Sequence, residues 1–144
     1  MFKLLLVDDD RAILEMLALT VHRPEVEVIT ASTEQEAYDH LCDHVIDAAV
    51  LDVHLSSGPA QEGLRVLQFL RIQQPPVPVI VISGSQAPYL LNRAYFLGAS
   101  YFMSKPLDVA GLERQLRMLG LPPRHPSPRR FSRRLRFLPL LQWT

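Results

Sequence analysis

Four short apolar runs in this sequence are each followed by a side chain suited to ionic or phosphoryl chemistry. These side chains are Asp8, Asp9 and Asp10 after LLLV, Asp52 after AAVL, Ser83 after VIVI and Lys105 after YFMS. Carboxylates gathered within a few ångströms repel one another and raise each other's pKa unless a cation lies among them. Oxygen ligands at an open site suit Mg²⁺, which binds one or two carboxylates together with waters and a phosphate. The lysine would then be a point-charge partner for a carboxylate or a phosphoryl oxygen.

The hydrophobic pattern predicts the elements that would bring these side chains together. Five strands are expected at 3–7, 26–30, 47–52, 78–83 and 100–104, and five helices alternate with them. The helices are expected from residue 12 to Arg23-Pro24, after a Ser32 or Thr33 cap, over about 62–73, over about 87–97 and from Asp108. The strands are continuously apolar, which predicts an α/β, doubly wound three-layer sandwich with a parallel sheet. Right-handed crossovers put the carboxyl ends of all five strands at one edge, where ligands bind in such sheets.

Each of these polar residues also has an ordinary structural explanation. Asp10 abuts a helix start, so we expect it to cap that helix. Ser83-Gly84 on its own is typical of a turn, and Lys105-Pro106 is a common loop dipeptide. These polar residues nevertheless follow four different predicted strands, namely the first, third, fourth and fifth in chain order. That combination favours a functional site.

Composition predicts one compact domain followed by a basic extension. The chain has 144 residues, of which 48% are hydrophobic. The single cysteine, Cys42, excludes an internal disulfide and suits a reducing compartment. No apolar stretch reaches the roughly 18 residues of a membrane span, so we expect a soluble cytoplasmic protein with no transmembrane segment.

The formal net charge of zero is the sum of two unlike segments. All 15 Asp and Glu residues lie in 1–120, whereas residues 121–144 contain six arginines, five prolines and no acid. Twenty-four residues cannot bury a core, so 121–144 is expected to form no independent domain and no helix-turn-helix. Three interpretations of it stay open. It could be a plain linker, a basic arm that contacts nucleic acid or an anionic membrane, or a segment that docks on the domain or on a second copy through Leu140, Leu141 and Trp143.

The motifs LLLVDDD, AAVLDVHL, VIVISGS and LGASYFMSKPL resemble the receiver domain of bacterial two-component response regulators, over residues 2–120. The resemblance implies a flavodoxin-like (βα)5 fold with strand order 2-1-3-4-5 and a receiver domain at 1–120. It implies that a sensor histidine kinase or phosphotransfer protein donates a phosphoryl group to Asp52. The domain would be a signalling module, not an enzyme, and a homodimer through the α4-β5-α5 face would be one outcome of activation. Nucleic-acid binding is not expected of the receiver itself.

The same resemblance implies a metal site around the phosphoacceptor. Asp9, Asp52 and the backbone carbonyl of His54 would bind Mg²⁺ directly, and Asp8 would act through a metal-bound water. His54 and Ser85 match two positions whose side chains tune how fast water reaches the phosphoryl group. The imidazole of His54 is not expected to be a metal ligand.

A second group of residues matches the family's switch. Ser83, followed by Gly84, would be the hydroxyl that moves toward the phosphoryl group. Phe102 would be the aromatic side chain that turns inward with it, and Lys105 would contact the phosphoryl oxygens. The resemblance implies that the bond from Lys105 to Pro106 is cis.

The loop after Asp52 departs from the family's pattern. The family usually has a proline four residues after the phosphoacceptor and an Asp-Gly pair eight residues after it. Here position 56 is serine, and Gly63 of the pair Glu62-Gly63 lies eleven residues after Asp52. The loop is therefore about three residues longer, and we expect it to affect the partner and the rate of dephosphorylation.

Three other functions fit the sequence less well. A haloacid-dehalogenase-like phosphatase needs an acid two residues after its nucleophile, where this chain has His54. A flavin-binding domain needs a phosphate loop after the first strand, where Asp8, Asp9 and Asp10 would repel a phosphate. A receiver fold could also serve only as a phosphorylation-independent interaction module. Such a module would have no need for Asp8 and Asp9, nor for Asp52, Ser83 and Lys105.

Overall fold

The computed structural model describes residues 1–125, which form five strands alternating with five helices. The strands are β1 (Phe2–Val7), β2 (Val26–Ala31), β3 (Ala48–Asp52), β4 (Val79–Ser83) and β5 (Tyr101–Ser104). The helices are α1 (Arg11–Val21), α2 (Glu34–Asp43), α3 (Glu62–Gln73), α4 (Pro88–Phe96) and α5 (Val109–Met118). The predicted bounds differ from these by about one residue, which is the usual uncertainty at element ends.

The five strands form one parallel sheet in the order β2-β1-β3-β4-β5. Side chains alternate between its faces, so that Leu5 and Val7 of β1 join one core cluster while Leu4 and Leu6 join the other. The first cluster is covered by α2, α3 and α4, and the second by α1 and α5. The doubly wound three-layer fold and its strand order are thus confirmed.

Local capping explains where α1 and α2 begin. The Asp10 carboxylate accepts hydrogen bonds from the N–H groups of Ala12 and Ile13 at 3.0 and 3.4 Å, as expected of a cap. Thr33 caps α2 by accepting from the N–H of Glu36 at 3.1 Å. The Glu36 carboxylate accepts in return from the N–H of Ser32 at 2.9 Å. Side chains therefore satisfy some of the free N–H groups at both helix starts.

The chain remains packed on the domain beyond the end of α5. Leu121 is buried in the cluster that α1 and α5 cover. The interpretations of 121–144 fall mostly on residues 126–144, which lie outside the described residues. Among residues 1–125, no helix has both the length and the hydropathy that crossing a membrane requires.

Candidate functional site

Three carboxylates meet at the carboxyl edge of the sheet. One carboxylate oxygen from each of Asp8, Asp9 and Asp52 lies within 4.8 Å of the other two. β1 and β3 are neighbours, and their pairing puts Val7 beside Leu51, so the residues that follow both strands come together. The side chains of Asp8 and Asp52 are buried, whereas Asp9 is exposed. The cluster is therefore rooted in the core and open to solvent on one side.

Lys105 supplies a positive charge to this cluster. Its Nζ lies 2.7 Å from Oδ2 of Asp52 and 3.6 Å from Oδ2 of Asp8. Desolvation by burial lowers the pKa of Lys105, but the hydrogen bond and charge of Asp52, together with the charge of Asp8, outweigh it and raise the pKa. The ammonium is thus held charged against two buried carboxylates.

The carboxyl group of Asp8 lies in a negatively charged environment. The pKa of Asp8 is raised to about 6, chiefly by burial and in part by repulsion from Asp52 and Asp9. The hydrogen bond from the N–H of Asp10, at 2.9 Å, and the charge of Lys105 oppose it without cancelling it. Three carboxylates against one ammonium leave excess negative charge on oxygen ligands, which is the donor set that Mg²⁺ prefers. The residues present fit that ion.

Ser83 lies at the end of β4, beside the strand that carries Asp52. Its side chain is fully buried, and its Oγ accepts a hydrogen bond from the N–H of Ser85 at 3.0 Å. The Oγ of Ser85 accepts in turn from the N–H of Ala87 at 3.3 Å. Gly84 is exposed, and a β-carbon placed on it would meet nothing within 4 Å. The Ser83 hydroxyl is therefore held by a local turn that has open space beside it.

Lys105, the first residue after β5, is hydrogen-bonded to the end of β4. The N–H of Lys105 donates to the carbonyl of Ser83 at 2.9 Å, and the Lys105–Pro106 bond is cis. Phe102 is half-buried and packs against the first core cluster, so its ring faces inward. The structure thus places Ser83 and Phe102 on two adjacent strands and Lys105 directly after the second of them.

The long loop after β3 is closed by its own hydrogen bonds. The N–H of His54 donates to Oδ1 of Asp52 at 3.3 Å, and its Nδ1 lies 2.9 Å from the carbonyl oxygen of Ala60. The buried carboxylate of Glu62 accepts from the N–H of Leu55 at 3.4 Å. Burial raises the pKa of Glu62, but hydrogen bonds from Ser56 and from backbone N–H groups outweigh that effect and lower it. Hydrogen bonds therefore join the two ends of this loop, from His54 to Ala60 and from Leu55 to Glu62.

Sequence reasoning missed the role of Glu62 and Gly63 in this loop. Both residues are buried, and the N–H of Gly63 donates to the carbonyl of Val53 at 2.8 Å. The signal in the sequence is an acid followed by glycine at the start of a predicted helix. The pair in fact connects α3 to the backbone next to Asp52.

A doubly wound parallel sheet with clustered carboxylates, a hydroxyl and an ammonium at its carboxyl edge defines a CheY-like receiver fold. Residues 4–117 match the model of the response regulator receiver domain family. The chain therefore belongs to this family, as the motifs predicted, and it is a signalling domain of two-component systems.

Several known proteins support this assignment. The photosynthetic apparatus regulatory protein RegA of Rhodobacter capsulatus is 32% identical over 127 residues, which cover 87% of this chain and 67% of RegA. The response regulator GtcR of Aneurinibacillus migulanus is 30% identical over 118 residues, 79% of this chain and 47% of GtcR. The chain spans about half the length of several curated relatives it matches, such as GtcR and the heme response regulator HssR of Staphylococcus saprophyticus, at 47% and 46%.

Two solved structures share the fold. The receiver domain of NtrX from Brucella abortus superposes with a TM-score of 0.71 at 27% identity, covering 81% of this chain and 96% of that one. A CheY-like receiver domain protein from Methanospirillum hungatei gives a TM-score of 0.75 at 23% identity, covering 82% and 92%. The sheet order and helix layers described above are thus those of the family.

Proposed function

We propose that this domain accepts a phosphoryl group on Asp52 with Mg²⁺ bound, and that the new charge changes the surface it offers to partners. The observation that carries the proposal is the placement of Asp52. Its carboxylate is buried at the end of β3, within 4.8 Å of Asp8 and Asp9 and 2.7 Å from the ammonium of Lys105. That setting supplies a nucleophile, metal ligands and a counter-charge at one point.

The metal ligands would be Asp9, Asp52 and the carbonyl of His54, with Asp8 acting through a water. When bound, Mg²⁺ would neutralise charge on the carboxylates and on the incoming phosphoryl oxygens. Asp9 is exposed, so it offers the entry point for the ion. A cation bound beside Asp8 would favour the charged carboxylate and so lower its pKa from about 6.

The transfer itself would be a displacement at phosphorus. An oxygen of Asp52 forms a bond to phosphorus while the bond from phosphorus to the donor's imidazole nitrogen breaks, and the electron pair goes to that nitrogen. Because such transition states are loose, catalysis requires mainly positioning and charge. Lys105 would move its hydrogen bond from Asp52 to a phosphoryl oxygen. Reversal by water would depend on the side chains of His54 and Ser85 that border the site.

The product carries about 1.5 to 2 negative charges where the carboxylate carried one. Ser83, whose hydroxyl accepts from the N–H of Ser85, would turn to donate to a phosphoryl oxygen. The open space beside Gly84 gives the turn after Ser83 room to move. Phe102 on the adjacent strand would shift further inward with Ser83. A change at Asp52 would thus reach the surface of β5 and α4.

The partners would be a sensor histidine kinase or a phosphotransfer protein in the cytoplasm and, after activation, a second copy of the domain. The α4-β5-α5 face suits the second role because it exposes several large apolar side chains. They are Tyr89, Leu91, Tyr95, Phe96, Tyr101 and Met118. Light scattering of the protein with and without a phosphodonor would test this, and a mass that stays monomeric in both states would contradict it.

The phosphoacceptor is tested with acetyl phosphate and MgCl₂, with intact mass as the readout. We expect the parent to gain one phosphoryl group and the Asp52→Asn variant to gain none. Asp39→Asn is a matched control, because Asp39 is an exposed acid on α2. Labelling of Asp52→Asn to the parent's level would exclude Asp52 as the acceptor. A parent that never labels would instead favour a phosphorylation-independent interaction module.

A further inference from the structure

The residues that follow α5 are fastened to the opposite end of the molecule from Asp52. Leu121 is buried in the core between α1 and α5. The guanidinium of Arg124 donates to the carbonyl of Thr20 at 2.6 Å and pairs with Glu113 at 2.9 Å. The imidazole of His125 contacts the carboxylate of Glu25, just before β2. The chain is therefore directed to the start of β2.

A buried arginine completes this attachment. Arg23 is 3% exposed, and it donates to the carbonyl of Pro122 at 2.9 Å and to that of Thr20 at 3.1 Å. Its guanidinium also lies 3.1 Å from Glu113, so that Glu113 bridges Arg23 and Arg124. We call Arg23, Glu113 and Arg124 the clasp. A clasp with a buried guanidinium holds the chain up to His125 against the start of β2.

The domain's own charges are strongly divided between its two halves. Residues 1–62 contain thirteen Asp and Glu against three Lys and Arg, whereas residues 63–120 contain two acids against six bases. The first half includes α1, β2 and α2, which flank the place where His125 lies. Carboxylates at this edge of the sheet, which we call the acidic edge, are Glu15, Glu25, Glu27, Glu36 and Asp39.

A cleft of about 380 Å³ lies at the far end of the acidic edge, between α1 and β2. Leu14 and Ala18 form its apolar wall, and the carboxylates of Glu15 and Glu36 line it beside Arg11. Arginine side chains suit such a cleft because their stems cover apolar surface while the guanidinium pairs with carboxylates.

We propose that the arginine-rich segment 129–136 of the same chain docks along the acidic edge. The segment, RRFSRRLR, holds five arginines and no acid. From His125 to position 136 is eleven residues, which reach about 36 Å at 3.3 Å each, while the six residues of β2 rise about 20 Å. The segment can therefore pass along the whole of β2 and enter the cleft.

Docking within one chain needs no tight contact. A short linker gives an effective concentration in the millimolar range, so weak ion pairs suffice to hold the segment. These ion pairs are exposed, and we expect salt to release them. The cleft adjoins the first two turns of α1, directly after Asp8, Asp9 and Asp10, so the docked segment would border the carboxyl edge of the sheet.

The chain carries its own distance probes for the test. It has one tryptophan, Trp143, and one cysteine, Cys42, which is exposed on α2 at the acidic edge. A thiol-reactive energy acceptor on Cys42 of the full chain would report the approach of Trp143. We expect efficient transfer at low ionic strength that is independent of protein concentration and falls severalfold at about 0.5 M NaCl.

Charge variants decide whether the arginines cause this approach. Replacing Arg129, Arg130, Arg133 and Arg134 with Gln should reduce transfer severalfold. Arg114→Gln with Arg117→Gln removes exposed arginines of α5 and should leave it unchanged. Glu15→Lys with Glu27→Lys should also reduce transfer, and adding Arg129→Glu and Arg130→Glu to that pair should restore it.

Three results would overturn the proposal. The first is transfer that the four arginine replacements leave unchanged. The second is transfer that disappears on dilution, which would mean that the segment docks on a second copy. The third is weak transfer in the free protein together with tight binding of the segment to a DNA duplex or to anionic vesicles, which would make it a nucleic-acid or membrane arm. None of these readouts depends on phosphorylation of Asp52.

Discussion

Gly63 lies so close to Asp52 that a β-carbon placed on Gly63 would stand 1.7 Å from the Asp52 carbonyl oxygen. The N–H of Gly63 also donates to the carbonyl of Val53 at 2.8 Å. The first turn of α3 therefore rests directly on the end of β3, with no side chain between them. Glycine is required here by this close approach, and it fixes the backbone that presents Asp52.

Gly63→Ala should therefore damage both the fold and the site. The added methyl group must push α3 away from β3, and overpacking of this kind costs about 1–3 kcal/mol of unfolding free energy or more. Urea denaturation measures the loss, and binding of Mg²⁺ should weaken with it. Gly58→Ala is the control, because its nearest atom would be 4.0 Å away in the same loop. Equal urea midpoints for Gly63→Ala and the parent would contradict the close approach.

Mg²⁺ should stabilise the domain, and Asp9 should be required for that effect. Any ligand that binds only the folded state raises the melting temperature by mass action. Asp9 is exposed, and it lies within 4.8 Å of Asp8 and Asp52, so Asp9→Asn should leave the metal-free protein as stable as the parent or slightly more so. Its melting temperature should no longer respond to MgCl₂ or to EDTA.

Asp10→Asn is the control for this experiment. It removes the adjacent carboxylate, but asparagine caps a helix as well as aspartate does, so α1 keeps its cap. The response to MgCl₂ should survive in Asp10→Asn. Equal responses in the two variants would mean that Asp9 is not a metal ligand.

The strand ends could be predicted from sequence because each depends on neighbours in the chain. An apolar run that stops at Asp8 or Asp52 shows both the buried strand and the polar residue that follows it. Arg23 shows the limit of that reasoning, since next to Pro24 it indicated only the end of a helix. Its side chain is instead buried against Glu113, a partner ninety residues away. Pairings of that kind depend on the packing of α1 against α5, which no local pattern contains.

The clasp should make stability depend on pH through Glu113. Burial raises the pKa of Glu113, but Arg124 and Arg23 outweigh it and hold the pKa below the ordinary value of 4.5. A carboxyl whose pKa is lowered by folding adds stability above its unfolded pKa and loses it as the pH falls through the folded value. Glu113→Gln should therefore cost about 1–3 kcal/mol at pH 7, because buried Arg23 loses a charged partner.

Urea unfolding at a series of pH values checks this expectation. The difference between the parent and Glu113→Gln should shrink as the pH falls below about 4.5, because protonation removes the same charge from the parent. Arg114→Gln is the control, since its pair with Asp108 is exposed at 3.7 Å and should contribute little at any pH. A difference that stays constant from pH 7 to 3 would show that the charge of Glu113 is not what stabilises the fold.

Ser83→Ala should separate phosphorylation from the response to it. The hydroxyl of Ser83 lies outside the acidic cluster, so acetyl phosphate should still label Asp52. We expect phosphorylation of the parent to change amide hydrogen exchange in β5 and α4. The labelled variant should lack this change, because no hydroxyl remains to bind the phosphoryl oxygen. The N–H of Ser85 loses its acceptor as well, which should cost about 1 kcal/mol of unfolding free energy. Ser85→Ala removes the neighbouring hydroxyl and should keep the response, and a full response in Ser83→Ala would rule Ser83 out as the switch.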